Sequence, residues 1–141
     1  MRYHILSGYF LDSSGRSPQI VVHRGHSYYA YISINKISTQ TQLVLLGSCG
    51  GYHILSDVLD KSSDAQIIST KQIGTMLVNN PLVRDIGITL SQGKNIEWEK
   101  FWKQLGDSLK SNPMASKKFT DYIPPQKNMG AIFLKAYREN L

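Results

Sequence analysis

Two residues of this sequence have the side chains that nucleophilic catalysis requires, and each follows a short apolar run. Cys49 lies in GSCGG directly after QLVLL, and His26 lies in HRGHS directly after QIVV. A thiolate attacks carbonyl carbon, and an imidazole beside it can take up and return the proton that the reaction moves. We therefore predict that Cys49 and His26 form a catalytic pair.

The residues around Cys49 favour the same interpretation. Cys49 is predicted to precede a helix that Gly50 and Gly51 open, and unpaired N–H groups at a helix start favour the thiolate. The two glycines let a substrate backbone approach closely. We expect the backbone N–H groups of Cys49 and Ser27 to hold an oxyanion.

Each candidate also has a structural interpretation. A lone cysteine such as Cys49 is often a small buried apolar side chain, although glycines at a strand end are not needed for that role. His26 taken alone is typical of a loop histidine, and only its pairing with Cys49 favours catalysis. His23 ranks second, because strand alternation would keep it in the sheet. Arg24 either pairs with a substrate carboxylate or is solvated, and the sequence leaves both open.

The elements that must position these residues follow from the alternation of apolar runs with helical periods. Strands are predicted over residues 3–11, 19–22, 42–46 and 65–69, with a turn at 12–15. A helical period over residues 54–59 lies between the last two strands, which indicates a βαβ unit with parallel pairing. Because parallel strands end on one edge of a sheet, His26 and Cys49 should share that edge. The predicted fold class is α/β.

The second half of the chain is predicted to be mainly helical. Asn80 and Pro81 would open a helix that Gly93 ends, and Asn95 would cap the next. A loop is expected between Pro113 and the proline pair at 124–125. Two helices have apolar stripes, formed by Trp98, Phe101, Trp102, Leu105 and Leu109, and by Met129, Ile132, Phe133, Ala136 and Tyr137. We interpret residues 1–141 as one domain, with a sheet and catalytic core over 1–92 and C-terminal helices over 93–141.

Composition excludes several classes of function. Hydrophobic residues make up 41% of the 141 residues and charged residues 18%, as in globular domains. The net charge is +6, yet the basic residues form no stripe with interleaved aromatics, so we predict no nucleic-acid partner. One cysteine provides neither a disulfide nor a structural zinc site, and we predict no metal and no cofactor. No apolar run approaches the roughly 18 residues of a membrane span, and no signal layout indicates a compartment.

The two motifs resemble a known peptidase clan. QIVVHRGHS and QLVLLGSCGG are similar to the histidine and cysteine motifs of the group that includes caspases, gingipains, separases and legumains, with the gingipain-like pattern nearest. The resemblance covers about residues 19–92. It implies a caspase-like three-layer sandwich with a small, mostly parallel sheet, and a cysteine endopeptidase that acts on a peptide or protein substrate through Cys49 and His26.

The resemblance also implies a specificity pocket, with three departures. The loop after the strand that follows the cysteine would line that pocket with Ser69, Thr70 and Lys71, joined by Arg24. Ser27 stands where the family has glycine, only residues 27–48 separate the pair, and the family's earlier strands are missing. We therefore expect the chain to be the C-terminal part of a larger polypeptide, or a reduced version.

Two alternatives stay open. A catalytically silent caspase-like module would keep the fold and use the glycine-lined edge for partner contacts. A nucleotide-binding α/β domain would use VLLGSCGGYHIL as a phosphate turn, although G-x-G-x-x-G spacing and a following Lys-Ser/Thr pair are both missing.

Overall fold

In the part of the chain that the structure describes, a five-stranded mixed sheet forms the centre of the fold. The computed structural model describes residues 3–6, 17–48 and 51–141. The strands are β1 Tyr3–Leu6, β2 Ile20–His23, β3 Leu43–Leu46, β4 Gln66–Thr70 and β5 Tyr122–Ile123. They lie side by side in chain order, the first four parallel and β5 antiparallel to β4. The predicted α/β class and parallel pairing are confirmed, while residues 7–11 and the turn at 12–15 lie outside the described residues.

Among the described residues, six α-helices cover both faces of this sheet. They are α1 Ala30–Ile34, α2 Leu55–Lys61, α3 Met76–Ser91, α4 Trp98–Leu109, α5 Pro113–Phe119 and α6 Met129–Glu139. Short 3-10 turns lie at Ser27–Tyr29, Gly51–Ile54 and Pro125–Lys127. Residues of α1, α2 and α6 pack on one face, and residues of α3, α4 and α5 pack on the other. The described residues therefore form three layers.

The central strands are buried on both faces because helices cover each side. In β2, Val21 packs with α1 and α2, while its neighbours Ile20 and Val22 face α3 and α4. In β3, the side chains of Val44 and Leu45 alternate in the same way, and both have no solvent exposure. A strand buried on both sides reads as a continuous apolar run, which explains why QIVV and QLVLL were recognisable in the sequence.

Helix α3 begins earlier than the sequence predicted. Asn80 and Pro81 do not open it, because Thr75 caps the helix and its Oγ1 accepts the N–H of Leu77 at 3.3 Å. Pro81 lies inside the helix, where its missing N–H removes one backbone hydrogen bond. The extra first turn buries Val78 against the sheet, which compensates for that loss.

The predicted loop between Pro113 and Pro124 forms both α5 and β5 instead. Asn112 caps α5 through Oδ1, which accepts the N–H groups of Met114 and Ala115. A proline is compatible with the first helical position, because the N–H it lacks would have no partner there. The segment 93–141, predicted to be helical, thus adds the edge strand of the sheet.

Two further boundaries differ in detail. Glu97, and not Asn95, occupies the cap position of α4, and its side chain makes no capping hydrogen bond. Helix α6 is confirmed, but its apolar stripe faces outward: Phe133 is 67% exposed, whereas Ala131 on another side of the helix is buried. The stripe of α4 is buried as expected from its spacing, except for Trp102, which is half-buried.

Two glycines associated with α3 should respond oppositely to alanine. Gly87 is exposed within the helix with no atom near an added Cβ, so Gly87→Ala should raise the free energy of unfolding by about 0.5–1 kcal/mol. Gly93 follows the helix with φ of +70°, where alanine is strained, so Gly93→Ala should lower it by about 1 kcal/mol. Urea unfolding of both variants measures the two changes, and the same sign for both would contradict this account.

Candidate functional site

The carboxyl ends of β2 and β3 bring the two sequence motifs side by side. His23 pairs with Leu46 in the parallel register, and the N–H of Gly47 donates to the His23 carbonyl at 2.9 Å, which extends the pairing by one residue. His26 follows His23 by three positions, as Cys49 follows Leu46. Cys49 itself lies outside the described residues. The predicted meeting of the two strands at one edge is confirmed for the residues that lead to it.

His26 is exposed and begins the 3-10 turn that leaves β2. Its ring Nδ1 accepts the N–H of Tyr28 at 3.1 Å, and its carbonyl accepts the N–H of Tyr29 at 3.0 Å. Because Nδ1 is the acceptor, the neutral ring carries its hydrogen on Nε2. The backbone therefore holds the ring in one tautomer at the end of the strand.

His23 is a buried structural residue that supports His26 from below. Its Nε2–H donates to the His26 carbonyl at 3.0 Å, and the Ser33 hydroxyl in α1 donates to its Nδ1 at 3.1 Å. Burial lowers the pKa of His23, and the hydrogen bond to the His26 carbonyl opposes that shift. The ring has no solvent exposure, so His23 positions the turn and does not face a substrate.

The residues predicted to hold an oxyanion are only partly described. Ser27 is half-buried as the first residue of its 3-10 turn, and its carbonyl accepts the N–H of Ala30. Gly51 begins the next turn, while Gly50 lies outside the described residues. The helix expected to open at these glycines is a 3-10 turn at first, and α2 starts at Leu55. The sequence predicted that the N-terminus of an α-helix at Gly51 would favour the Cys49 thiolate. A 3-10 turn begins at Gly51 instead, so the N-terminus of the α-helix lies four residues later.

Fewer residues than predicted can line the specificity pocket. Ser69 and Thr70 are fully buried in β4: Asn128 donates to Ser69 Oγ at 3.1 Å, and the Thr70 hydroxyl donates to the Ser48 carbonyl. Side chains used in this way cannot line a pocket open to solvent. Of the three loop residues, only Lys71 is exposed.

Arg24 is half-buried and contacts the fold. Its guanidinium donates to the Asn80 side-chain oxygen in α3, which links the end of β2 to the opposite helical layer. The sequence left a choice between a substrate carboxylate and solvent. The structure adds a third partner, a neutral amide of the same chain.

Two buried side chains that the sequence did not single out fasten the strand end to the following loop. Asn79 Nδ2 donates to the Gly47 carbonyl at 2.9 Å, the Tyr122 hydroxyl donates to Asn79 Oδ1 at 2.8 Å, and the N–H of Thr75 donates to the Tyr122 oxygen at 2.9 Å. Burial raises the pKa of Tyr122 to about 12, with a contribution from the charge of Asp121. The hydroxyl therefore stays protonated and able to donate at neutral pH.

Two glycines make this contact possible. A Cβ on Gly74 would lie 1.9 Å from the Gly47 carbonyl oxygen, and a Cβ on Gly47 would lie 2.3 Å from Asn79 Oδ1. Backbone atoms of β3 and of the loop before α3 thus approach more closely than side chains would allow. In the sequence, this network is indicated by the asparagine next to Val78 in α3. Both residues are buried, and a buried amide needs a hydrogen-bond partner.

Across the residues that the structure describes, no three histidine, cysteine or carboxylate side chains group to hold a metal ion. None of the described helices is long and apolar enough to cross a membrane. Compared with known proteins, the chain matches no family model, no curated protein and no solved structure.

The buried His23 should make stability fall on mild acidification. Its folded-state pKa is lowered, so below about pH 6.5 the unfolded chain binds more protons there than the folded chain. The free energy of unfolding should therefore decrease as the pH is lowered from 7 to 5. His23→Gln should have a flatter profile over this range, measured by urea unfolding at each pH. Parallel profiles for the two proteins would exclude His23 as the cause.

Removing the Tyr122 hydroxyl should destabilise the fold without removing its ring. In Tyr122→Phe, Asn79 Oδ1 and the Thr75 N–H lose a buried partner, a change that costs about 1–3 kcal/mol. Tyr137→Phe is the matched control, because that ring is 66% exposed, and it should change stability by at most about 0.5 kcal/mol. Thermal and urea unfolding measure both variants, and equal effects would contradict a role for the buried hydroxyl.

Proposed function

We propose that this chain is a cysteine peptidase domain in which Cys49 is the nucleophile and His26 carries the proton. One observation supports this most directly. His23 and Leu46 are paired neighbours on parallel strands, and the two candidate residues follow them at equal distance along the chain. The carboxyl ends of paired parallel strands lie on one edge of a sheet, so both candidate residues follow strands that end at the same edge.

The surroundings of His26 support a role in proton transfer. Its ring is exposed, whereas the only other histidine on the same strand end, His23, is sealed in the interior among the described residues. The turn that holds His26 is fixed from two sides, by the Tyr28 N–H on its ring and by the His23 ring on its carbonyl. The hydrogen bond from His23 therefore keeps the His26 backbone in place while the His26 side chain stays exposed.

The reaction we propose is acyl transfer followed by hydrolysis. The Cys49 sulfur attacks the carbonyl carbon of a peptide bond, and the thiol proton passes to His26. The carbon–nitrogen bond then breaks, the proton leaves with the amine, and an acyl group remains on the sulfur until water releases it. In the neutral tautomer, the lone pair that can take up a proton is on Nδ1. Nδ1 must therefore lose the hydrogen bond from the Tyr28 N–H when the ring becomes imidazolium.

We also propose that the α/β fold is of the caspase-like kind. The described chain has a helix, α2, and a further parallel strand, β4, after the cysteine motif, and a loop at Lys71 follows that strand. This is the order that the resemblance implies for residues 19–92. The fifth, antiparallel strand closes the sheet beside that loop.

Labelling of Cys49 tests the proposal. Iodoacetamide should alkylate Cys49 near neutral pH faster than it alkylates glutathione, and peptidyl chloromethyl ketones ending in aspartate, lysine, arginine or leucine should label it in a sequence-dependent way. His26→Ala should slow the peptide labelling by about a hundredfold or more, because a positioned acid/base group contributes that much. Intact-mass spectrometry measures the rates.

Two variants control the experiment. Cys49→Ala must abolish labelling, and Lys94→Ala should leave the rate near that of the unsubstituted protein, since Lys94 is an exposed residue outside the proposed pair. Unchanged peptide labelling in His26→Ala would exclude the pair. A nucleotide-induced rise in melting temperature that persists in Cys49→Ala would favour a nucleotide-binding domain instead.

A further inference from the structure

A cleft of about 1110 Å³ lies along β5, where the sheet ends. Residues of α4 and α5, among them Trp102 and Phe119, form one wall, and residues of α6, among them Phe133, form the other. Its floor includes Tyr122 and Ile123 of β5 itself. The cleft therefore follows the edge strand between the two helical layers.

The charges around this cleft are of one sign. Its charged lining residues are Lys71 and Lys127, and no aspartate or glutamate is among its described lining residues. Neither lysine forms an ion pair with any described carboxylate, although Arg84, Lys110 and Arg138 each do. A concave surface with unpaired cations raises the local concentration of negatively charged partners.

The walls offer aromatic and aliphatic surface to the same partner. Trp102 and Phe119 stack with ring centres 4.9 Å apart and planes at 30°, and both are only partly buried. On the facing wall, Phe133 is 67% and Met129 is 56% exposed. Large apolar side chains left open inside a cleft are typical of binding sites.

The cleft begins at the candidate catalytic edge. Lys71 directly follows Thr70, whose hydroxyl donates to the carbonyl of Ser48, and Ser48 is the residue before Cys49. His53 lies in the turn Gly51–Ile54 that follows Cys49 in the chain. The cleft therefore adjoins the described residues on both sides of Cys49 in the chain.

We propose that this cleft binds an acidic peptide segment that carries a large apolar side chain, and that the segment belongs to the protein substrate, a step that rests on the proposed peptidase function. Carboxylates of the segment pair with Lys71 and Lys127. The apolar side chain inserts between the Trp102 wall and Phe133. Single-sign charge together with open aromatic surface selects this class of ligand over a neutral or basic one.

Direct binding to the full chain with Cys49→Ala tests this proposal without requiring cleavage. The probes are two tetramethylrhodamine-labelled dodecapeptides with the same central phenylalanine, one with glutamates around it and one with glutamines at the same positions. Fluorescence anisotropy should show that the acidic peptide binds about tenfold or more tightly, with affinity that falls as salt is added.

Paired lysine variants locate the site. The double variant Lys71→Gln with Lys127→Gln should bind the acidic peptide about five- to tenfold more weakly and bind the glutamine peptide with unchanged affinity. Lys36→Gln with Lys94→Gln removes the same charge outside the cleft and should weaken it by less than about twofold. Phe133→Ala should lower the affinity for the acidic peptide but not the affinity for a version of that peptide with alanine in place of its phenylalanine.

The outcomes separate the two proposals. Equal binding of the acidic and glutamine peptides, or equal losses in the two lysine pairs, would overturn the cleft assignment, whatever Cys49 does. Tight binding that needs Lys71 and Lys127, in a protein whose Cys49 reacts no faster than glutathione, would support the cleft and overturn the peptidase. Binding of a phosphorothioate oligonucleotide in preference to the acidic peptide would mark the site as a general polyanion site and overturn the peptide assignment.

Discussion

Parallel pairing of β2 with β3 determines where the candidate chemistry of this chain lies. Helices cover both faces of these strands, with Val21 and Val44 buried on one face and Val22 and Leu45 on the other. The register between the strands pairs His23 with Leu46, and the two motifs follow from there. Parallel pairing thus places the carboxyl ends of both strands at the same edge of the sheet.

Buried hydrogen bonds then hold the strand ends in place. The Gly47 carbonyl accepts a hydrogen bond from the amide of Asn79 and lies close to Gly74, and Tyr122 completes the set from the antiparallel edge strand. Each of these groups would cost free energy if it were buried without a partner, so together they favour one conformation of the loop before α3. Lys71 is the first residue of this loop. The loop therefore lies both beside the edge strand and at the start of the cleft.

The sequence predicted those elements whose apolar residues follow a recognisable pattern along the chain. Continuous apolar runs indicated the buried strands, and the apolar stripe of α4 indicated its packing. Strand β5 has only two residues, too short for any alternation, and α5 was hidden by the prolines around it. At the candidate site, the sequence predicted the strand ends and His26, but Tyr122 lies far along the chain from Asn79, and only tertiary packing joins them. Burial of Ser69 and Thr70 likewise depends on a residue as distant as Asn128.

The tautomer of His26 links the fold to the proposed chemistry. In the resting turn, the Tyr28 N–H occupies Nδ1, and the His23 ring holds the carbonyl of the same residue. An imidazolium has no acceptor, so forming it must release the Tyr28 N–H while the carbonyl stays held by His23. The proton step would therefore reorient the ring about a fixed backbone. A substrate that draws the ring out of the turn would free Nδ1 from the Tyr28 N–H, while the backbone stays held by His23.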